Sequence, residues 1–110
     1  MMRALLVLLV VLTPTKALAQ NTRDAELASA DAQLNATYRS LIRQLGQTDQ
    51  SDHKAAQRAW IAFRDLDCKV GWGDRRDCLM ARTQERERQL RDSIYWTPTG
   101  EQIELPAPRD

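Results

Sequence analysis

The chain has 110 residues, 28% of them charged, and a formal net charge of +1 at pH 7. This length fits one small domain. Its 16 basic and 15 acidic residues are interspersed along the sequence, so the concentrated basic surface of a nucleic-acid-binding protein is absent. We therefore expect no nucleic-acid partner.

The N-terminus has the pattern of a cleavable signal peptide. A short positively charged start precedes an apolar run over residues 4–12, and Ala17 and Ala19 then supply the small-residue pattern of a cleavage site before Gln20. An uncleaved anchor is the alternative, but the run is shorter than the about 20 residues that span a bilayer. No cysteine follows the run to receive a lipid. The sequence thus predicts a signal peptide over residues 1–19 and a periplasmic or secreted protein, not a lipoprotein and without stable membrane insertion.

The two cysteines, Cys68 and Cys78, both follow the proposed cleavage site. An even cysteine count in an exported chain favours a disulfide. On the chain-entropy model, closing a loop of this length stabilises the fold by roughly 2–3 kcal/mol. A metal site is the alternative, but two cysteines without a nearby pair of histidines do not fill a tetrahedral shell. We expect a disulfide, no metal and no cofactor.

Apolar spacing predicts the first of three helices over about residues 24–45. Apolar side chains recur there at steps of three and four, as on one face of a helix: Leu27, Ala30, Leu34, Tyr38, Leu41 and Leu45. Gly46 follows the last of them, where a helix commonly stops.

The second predicted helix begins near Asp49 or Ser51, because either side chain can accept hydrogen bonds from the free amides of a first turn. Its predicted buried stripe consists of Ala56, Ala59, Trp60, Phe63, Leu66 and Val70. Two glycines around Trp72 then end the helix.

A third helix is predicted to begin at Asp74 or Asp77. Its inward side chains are expected to be Leu79, Met80, Leu90 and Ile94. Residues 82–89 are almost entirely polar, although the stripe predicts apolar side chains at Thr83 and at Arg86 or Glu87. Such residues need partners, because an unpaired buried charge is costly.

These elements predict an all-α fold, a small three-helix antiparallel bundle. A disulfide between the end of helix two and the start of helix three would staple them as a helical hairpin, with helix one packing across it. Residues 20–96 form the predicted domain. Residues 97–110 are rich in proline and sparse in apolar side chains, which indicates a flexible C-terminal tail.

The sequence shows no recognisable catalytic constellation, so we do not expect an enzyme. His53 is the only histidine, and it lies in the first turn of helix two without a partner motif. An exposed helix-start residue is therefore expected rather than a general base or metal ligand. No glycine-rich phosphate loop, HExxH pattern or serine elbow occurs.

The segment between the cysteines is the candidate binding site. Trp72 stands between two glycines, and a large aromatic side chain on such a loop is a reasonable anchor for a partner. The alternative is that Trp72 folds back over the end of the hairpin. The arginines of helix three are expected to form a solvated face, with a specific anionic partner as the alternative.

Three segments resemble the LprI-type lysozyme-inhibitor domain family. Residues 31–38 read DAQLNATY and resemble its opening motif, and residues 57–68 read QRAWIAFRDLDC and resemble its central segment almost position for position. Residues 78–90 match a third element of the form C-L-x(3)-T-x(2)-R-x(3)-L. The resemblance extends over about residues 24–94.

The resemblance implies an exported helical domain with paired cysteines. The residues that match its motifs are Asn35, Tyr38, Trp60, Phe63, Arg64, Thr83, Arg86 and Leu90. We expect some of the polar ones to form a hydrogen-bonded network between helices, because a partly buried arginine offers five donors to several chain segments.

The family's function implies a lysozyme-type muramidase as the partner. The leading hypothesis is an exported inhibitor whose loop between helices two and three enters the acidic cleft of the enzyme through Trp72, Arg75 and Arg76. Loss of Arg3 and Lys16 with the signal peptide changes the formal charge to −1, which gives little steering toward a cationic enzyme. The alternative is a non-inhibitory periplasmic helical module that binds an envelope protein or aids envelope stress tolerance.

Overall fold

A computed structural model describes residues 15–106, together with Ala4 and Val7. The elements, in chain order, are the helices α1 (Thr15–Gln44), α2 (Gln47–Asp67) and α3 (Arg75–Asp92). The predicted all-α, three-helix fold is confirmed. Most of the predicted signal peptide lies outside the described residues. None of the helices in the described part is long and apolar enough to cross a membrane.

The apolar face of α1 supplies most of the buried side chains of the core, as predicted. Ala30, Leu34, Leu41 and Leu45 are buried, and Thr37 is buried among them. The helix ends just before Gly46 because the chain there turns into α2. The side chain of Gln50 donates hydrogen bonds to the carbonyls of Ile42 (2.8 Å) and Leu45 (3.1 Å), which supplies partners to the end of α1.

Helix α3 begins where Asp74 caps it, which is one of the two predicted starts. The Asp74 carboxylate accepts a hydrogen bond of 2.9 Å from the backbone amide of Arg76. Leu90 is fully buried, whereas Leu79 and Met80 are half-buried. The prediction for Ile94 is wrong: this side chain is 64% exposed, because α3 ends at Asp92 and the following residue is extended.

The predicted buried stripe of α2 is also wrong. Trp60 is half-buried, but the other five residues are exposed: Ala56, Ala59, Phe63, Leu66 and Val70. The helix instead turns Gln57, Arg64 and half-buried His53 inward. These side chains find hydrogen-bonding or aromatic partners on α1, on α3 and beyond α3, so a mostly polar face is buried and the apolar face is left outside. Neither Asp49 nor Ser51 caps α2, since Gly46 occupies the N-cap position without a side-chain bond.

The backbone of α3 packs mainly along α1, and α2 approaches α3 closely at few positions. The predicted disulfide between Cys68 and Cys78 is present, with 5.5 Å between the two Cα atoms. It joins the end of α2 to the first turn of α3. Helix α2 is therefore held by this covalent link and by long side chains rather than by close helix–helix contact.

The segment after α3 folds back over the open end of the core. Ile103 is 7% exposed and packs with Leu41, Leu45 and Leu90. Its amide donates to the carbonyl of Tyr95 (2.9 Å), and the Gln44 side chain donates to the carbonyl of Glu104 (3.1 Å).

Part of the segment predicted as a flexible tail from Thr97 is therefore attached to the core through Ile103. Ile103 is buried and Leu105 is half-buried there, and a Cβ placed on Gly46 would come within 3.1 Å of Pro98 Cγ. Two isolated apolar side chains make this attachment. Ile103 and Leu105 pack against the apolar cluster near the C-terminal ends of α1 and α3. Residues 107–110 lie outside the described residues.

We predict that Ile103→Ala lowers the free energy of unfolding by about 2–4 kcal/mol, because it removes a buried side chain and leaves a cavity. Urea denaturation followed by circular dichroism measures this change. Ile94→Ala is the matched control: the side chain is exposed, so the expected change is within about 0.5 kcal/mol. Equal changes in the two variants would show that the segment after α3 does not belong to the core.

Candidate partner-binding site and the polar core behind it

The candidate site is the disulfide loop, defined as residues 69–77 between Cys68 and Cys78. Both cysteines are buried, so the loop is anchored in the protein interior at both of its ends. Gly71 has a positive φ of 74°, a backbone conformation that side chains other than glycine rarely adopt. The loop is thus a short, covalently closed turn that leads directly into the cap of α3.

Trp72 lies at the outer side of the disulfide loop and is 44% exposed. The guanidinium of Arg82 lies over its ring, 5.8 Å from the ring centroid. Arg82 is itself held by Asp67 (2.9 Å) and Glu85 (3.0 Å), and these two bonds raise its pKa. Trp72 is therefore supported by α3 through a cation–π contact while much of its surface stays accessible.

Arg76 does not extend from the loop but attaches it to α1. Its guanidinium contacts Asp74 and Asp24, each at 2.8 Å. Hydrogen bonds from Arg76 lower the pKa of Asp74 to about 2, and Arg23 adds a second positive charge at 3.5 Å. Arg75, by contrast, is exposed, and its side chain donates to the backbone carbonyl of Asp65 (3.3 Å). The two adjacent arginines of the loop thus have different surroundings.

Behind the loop, Arg64 joins α2 to both other helices. Its Nη1 atom donates to the hydroxyl of Thr83 (3.2 Å), which is fully buried on α3, and also lies 3.5 Å from Asp31 on α1. Its guanidinium contacts Asp65 at 3.0 Å and stacks over the ring of Trp60 at 5.2 Å. One side chain therefore satisfies the buried hydroxyl that the apolar pattern of α3 left unexplained.

Arg86 forms a second link between α3 and α2. It donates to the side-chain oxygens of Gln57 (3.0 Å) and Gln89 (2.6 Å). Its guanidinium lies 5.9 Å from the centroid of Trp60, the same ring that Arg64 approaches. Burial lowers the pKa of Arg86.

A third polar cluster connects α1, α3 and the segment after α3. The hydroxyl of Thr37 donates to Glu87 Oε1 (2.9 Å) and accepts a hydrogen bond from Arg91 (3.1 Å). Arg91 also donates to Glu87 and to the carbonyl of Pro106. The apolar periodicity marked Glu87 as anomalous. Its partner Arg91 lies one turn later on α3, whereas Thr37 lies 50 residues away in the chain and had no local signal.

His53 is half-buried, not an exposed helix-start residue as the sequence indicated. Its ring lies between those of Tyr38 (5.8 Å) and Tyr95 (5.5 Å), and Nε2 is 3.4 Å from the Tyr95 hydroxyl. Burial and then the positive charge of Arg86 lower the pKa of His53 below 6.5. His53 also lines a surface cavity of about 420 Å³ with Asp49, Asp52, Tyr95 and Trp96.

Potential metal ligands lie close together at one place in the described part of the chain. The ligand atoms of Asp67, Cys68 and Cys78 are within 4.8 Å of one another. The two sulfur atoms are bonded to each other, so neither is available as a thiolate ligand.

The family model described as lysozyme inhibitor LprI matches residues 14–90. The chain belongs to this family. An uncharacterized protein of Rhizobium meliloti (strain 1021) is 29% identical over 92 residues, and the match covers 63% of this chain and 66% of the relative. The chain thus spans slightly less than two thirds of that relative's length. No solved structure matches this chain.

The residues that match the LprI motifs do not form one site. Four contribute to the core or to its polar links: Trp60, Arg64, Thr83 and Arg86. Leu90 is fully buried, and Tyr38 packs beside His53. Asn35 and Phe63 are exposed, on α1 and α2 respectively. None of the eight lies in the disulfide loop.

We predict that Arg64→Ala lowers the free energy of unfolding by about 1–3 kcal/mol, because the buried Thr83 hydroxyl loses its charged donor. Thermal denaturation would report the change as a clear fall in Tm. Arg88→Ala is the control, since it removes the same charge from an exposed position of α3. An unchanged melting curve for Arg64→Ala would contradict a structural role of the network.

We predict that the protein loses stability as the pH falls from about 7.5 to about 5. The folded-state pKa of His53 lies below 6.5, so the unfolded chain takes up the proton first and unfolding becomes easier. His53→Phe should reduce the difference in Tm between the two pH values. Because His53 is the only histidine, an undiminished difference would assign the pH dependence to other groups.

Proposed function

We propose that this LprI family protein is an exported inhibitor of lysozyme-type muramidases that binds its target through the disulfide loop. Membership of an inhibitor family supports the class of function and agrees with the expectation that the chain is not an enzyme. The observation that supports this loop as the contact is that the accessible Trp72 and the exposed Arg75 both lie on a covalently closed turn.

Rigidity of the loop favours binding because little conformational freedom remains to be lost on association. The disulfide closes the loop, Asp74 fixes its exit into α3, and Arg82 supports the Trp72 ring. Arg76 serves in this proposal as a positioning residue, since its ion pairs with Asp24 and Asp74 hold the loop against α1.

The chemistry of a muramidase cleft suits the two remaining side chains. Glycoside hydrolysis uses a pair of carboxyl groups, and a guanidinium pairs with a carboxylate through two parallel hydrogen bonds. Arg75 would contact these carboxyl groups while Trp72 packs against the walls of the cleft. Substrate and inhibitor would then compete for the same cleft.

We expect protein purified after export to inhibit a C-type lysozyme, with saturation near one molecule per enzyme. Trp72→Ala and Arg75→Ala should each raise the inhibition constant at least about tenfold, as anchors at the centre of an interface do. Lysozyme turnover at several inhibitor concentrations gives these constants, and circular dichroism reports the fold of each variant. A sample with the disulfide reduced tests whether loop closure is required.

Lys69→Ala is the matched control for Arg75→Ala, because it also removes an exposed positive charge from the disulfide loop. It should leave the inhibition constant within about twofold. Absence of inhibition by folded wild-type protein would contradict inhibition of this lysozyme class and favour the non-inhibitory envelope module. If Trp72→Ala lost both its stability and its inhibition of lysozyme, Trp72 would be a structural residue.

A further inference from the structure

One apolar face of α2 is exposed and is covered neither by the core nor by the disulfide loop. We call it the outer stripe, and its residues are Ala56, Ala59, Ala62, Phe63 and Leu66. Phe63 is 58% exposed and Leu66 is 64% exposed. At about 100° per residue these five side chains share one side of the helix, next to the inward side that carries Gln57 and Arg64. A continuous apolar surface of this kind marks an interaction site.

The order of side-chain sizes along the outer stripe fits a second copy of the same helix in antiparallel orientation. Its N-terminal half carries small side chains and its C-terminal half carries large ones. Under two-fold symmetry, Ala59 faces Phe63 of the other copy and Ala56 faces Leu66 of the other copy. Both pairs have their midpoint at residue 61, so one register satisfies both. Each large side chain then lies over a small one, which is how closely packed helices fit together.

The charges beside the outer stripe agree with the same register. Arg58 and Asp65 are on one edge of it, Arg58 exposed and the Asp65 side chain 45% exposed. In an antiparallel pair the same edges of the two helices meet, so Arg58 of each copy faces Asp65 of the other. This contact occurs twice in the dimer and joins opposite charges.

We propose that the outer stripe is the interface of a two-fold symmetric, antiparallel homodimer of this protein. The two helices α2 cross the symmetry axis at the level of residue 61, and the side chain of Ile61 itself lies on the other side of the helix. The two disulfide loops then lie at opposite ends of the paired helices. Each loop is about ten residues away from the symmetry axis, counted along its own chain. Dimer formation therefore leaves Trp72 accessible. This inference does not depend on inhibition of any enzyme.

Sedimentation equilibrium and light scattering of the exported, oxidised protein measure the mass as the concentration rises. We expect the mass to approach that of two chains. Phe63→Glu should raise the dimer dissociation constant at least about tenfold, because it places a charge at the centre of the interface. Ile61→Glu is the matched control: Ile61 is also an exposed apolar residue of α2, but it lies on the other side of the helix. It should leave the dissociation constant nearly unchanged.

A second pair of variants tests the charges rather than the apolar contacts. Arg58→Glu places four acidic side chains along the paired edges and should weaken the dimer, whereas Arg88→Glu makes the same charge change on exposed α3 and should not. Unchanged circular dichroism and Tm show that each variant is folded. A wild-type protein that stays monomeric at every concentration would overturn the proposal, as would equal effects of Phe63→Glu and Ile61→Glu.

Discussion

The hydrogen bond from Arg64 to the buried hydroxyl of Thr83 is the interaction on which the position of α2 depends. It links the inward side of α2 to the middle of α3, where an apolar residue would otherwise be expected. Because the bond is directional and the hydroxyl is fully buried, it favours a rotation of α2 that turns Arg64 toward α3. The stacking of Arg64 and Arg86 over Trp60 reinforces that rotation.

This polar attachment explains why α2 shows its apolar side to the outside. A helix usually turns its apolar stripe toward the core because burial of apolar surface is the main stabilising term. Here the inward side is occupied by polar side chains that already have partners, and the small core lies mostly between α1 and α3. The apolar stripe of α2 is then free for contacts with other molecules, which is the basis of the proposed dimer.

The sequence predicted the elements better than their orientation. In α1 one apolar stripe exists, so periodicity identified both the helix and its buried face. In α2 the same periodicity describes two stripes, an apolar one through Phe63 and a polar one through Gln57 and Arg64. Periodicity shows which residues share a face but not which face is buried. Ile103 was missed for a related reason: an isolated apolar residue in a polar segment becomes core only through its position in space.

The candidate site was predictable in part. The cysteine pair indicated a closed loop, and glycine on either side of Trp72 indicated a turn. The different surroundings of Arg75 and Arg76 were not predictable, because one of the two carboxylates that hold Arg76, Asp24, lies 52 residues away on α1. The motif residues likewise indicated a network, whereas partners such as Gln57 and Asp31 followed only from the packing of the helices.

The two kinds of attachment of the disulfide loop respond differently to the medium. Its closure is covalent and insensitive to salt, but its contact with α1 rests on ion pairs of partly exposed side chains, Arg76 with Asp24 and Arg23 with Asp77. Mobile ions screen such pairs strongly at high ionic strength. At low ionic strength these ion pairs hold the loop against α1. At high ionic strength the loop stays covalently closed, but its contact with α1 is weakened. The surface offered to a partner therefore depends on the ionic strength of the medium as well as on the fold.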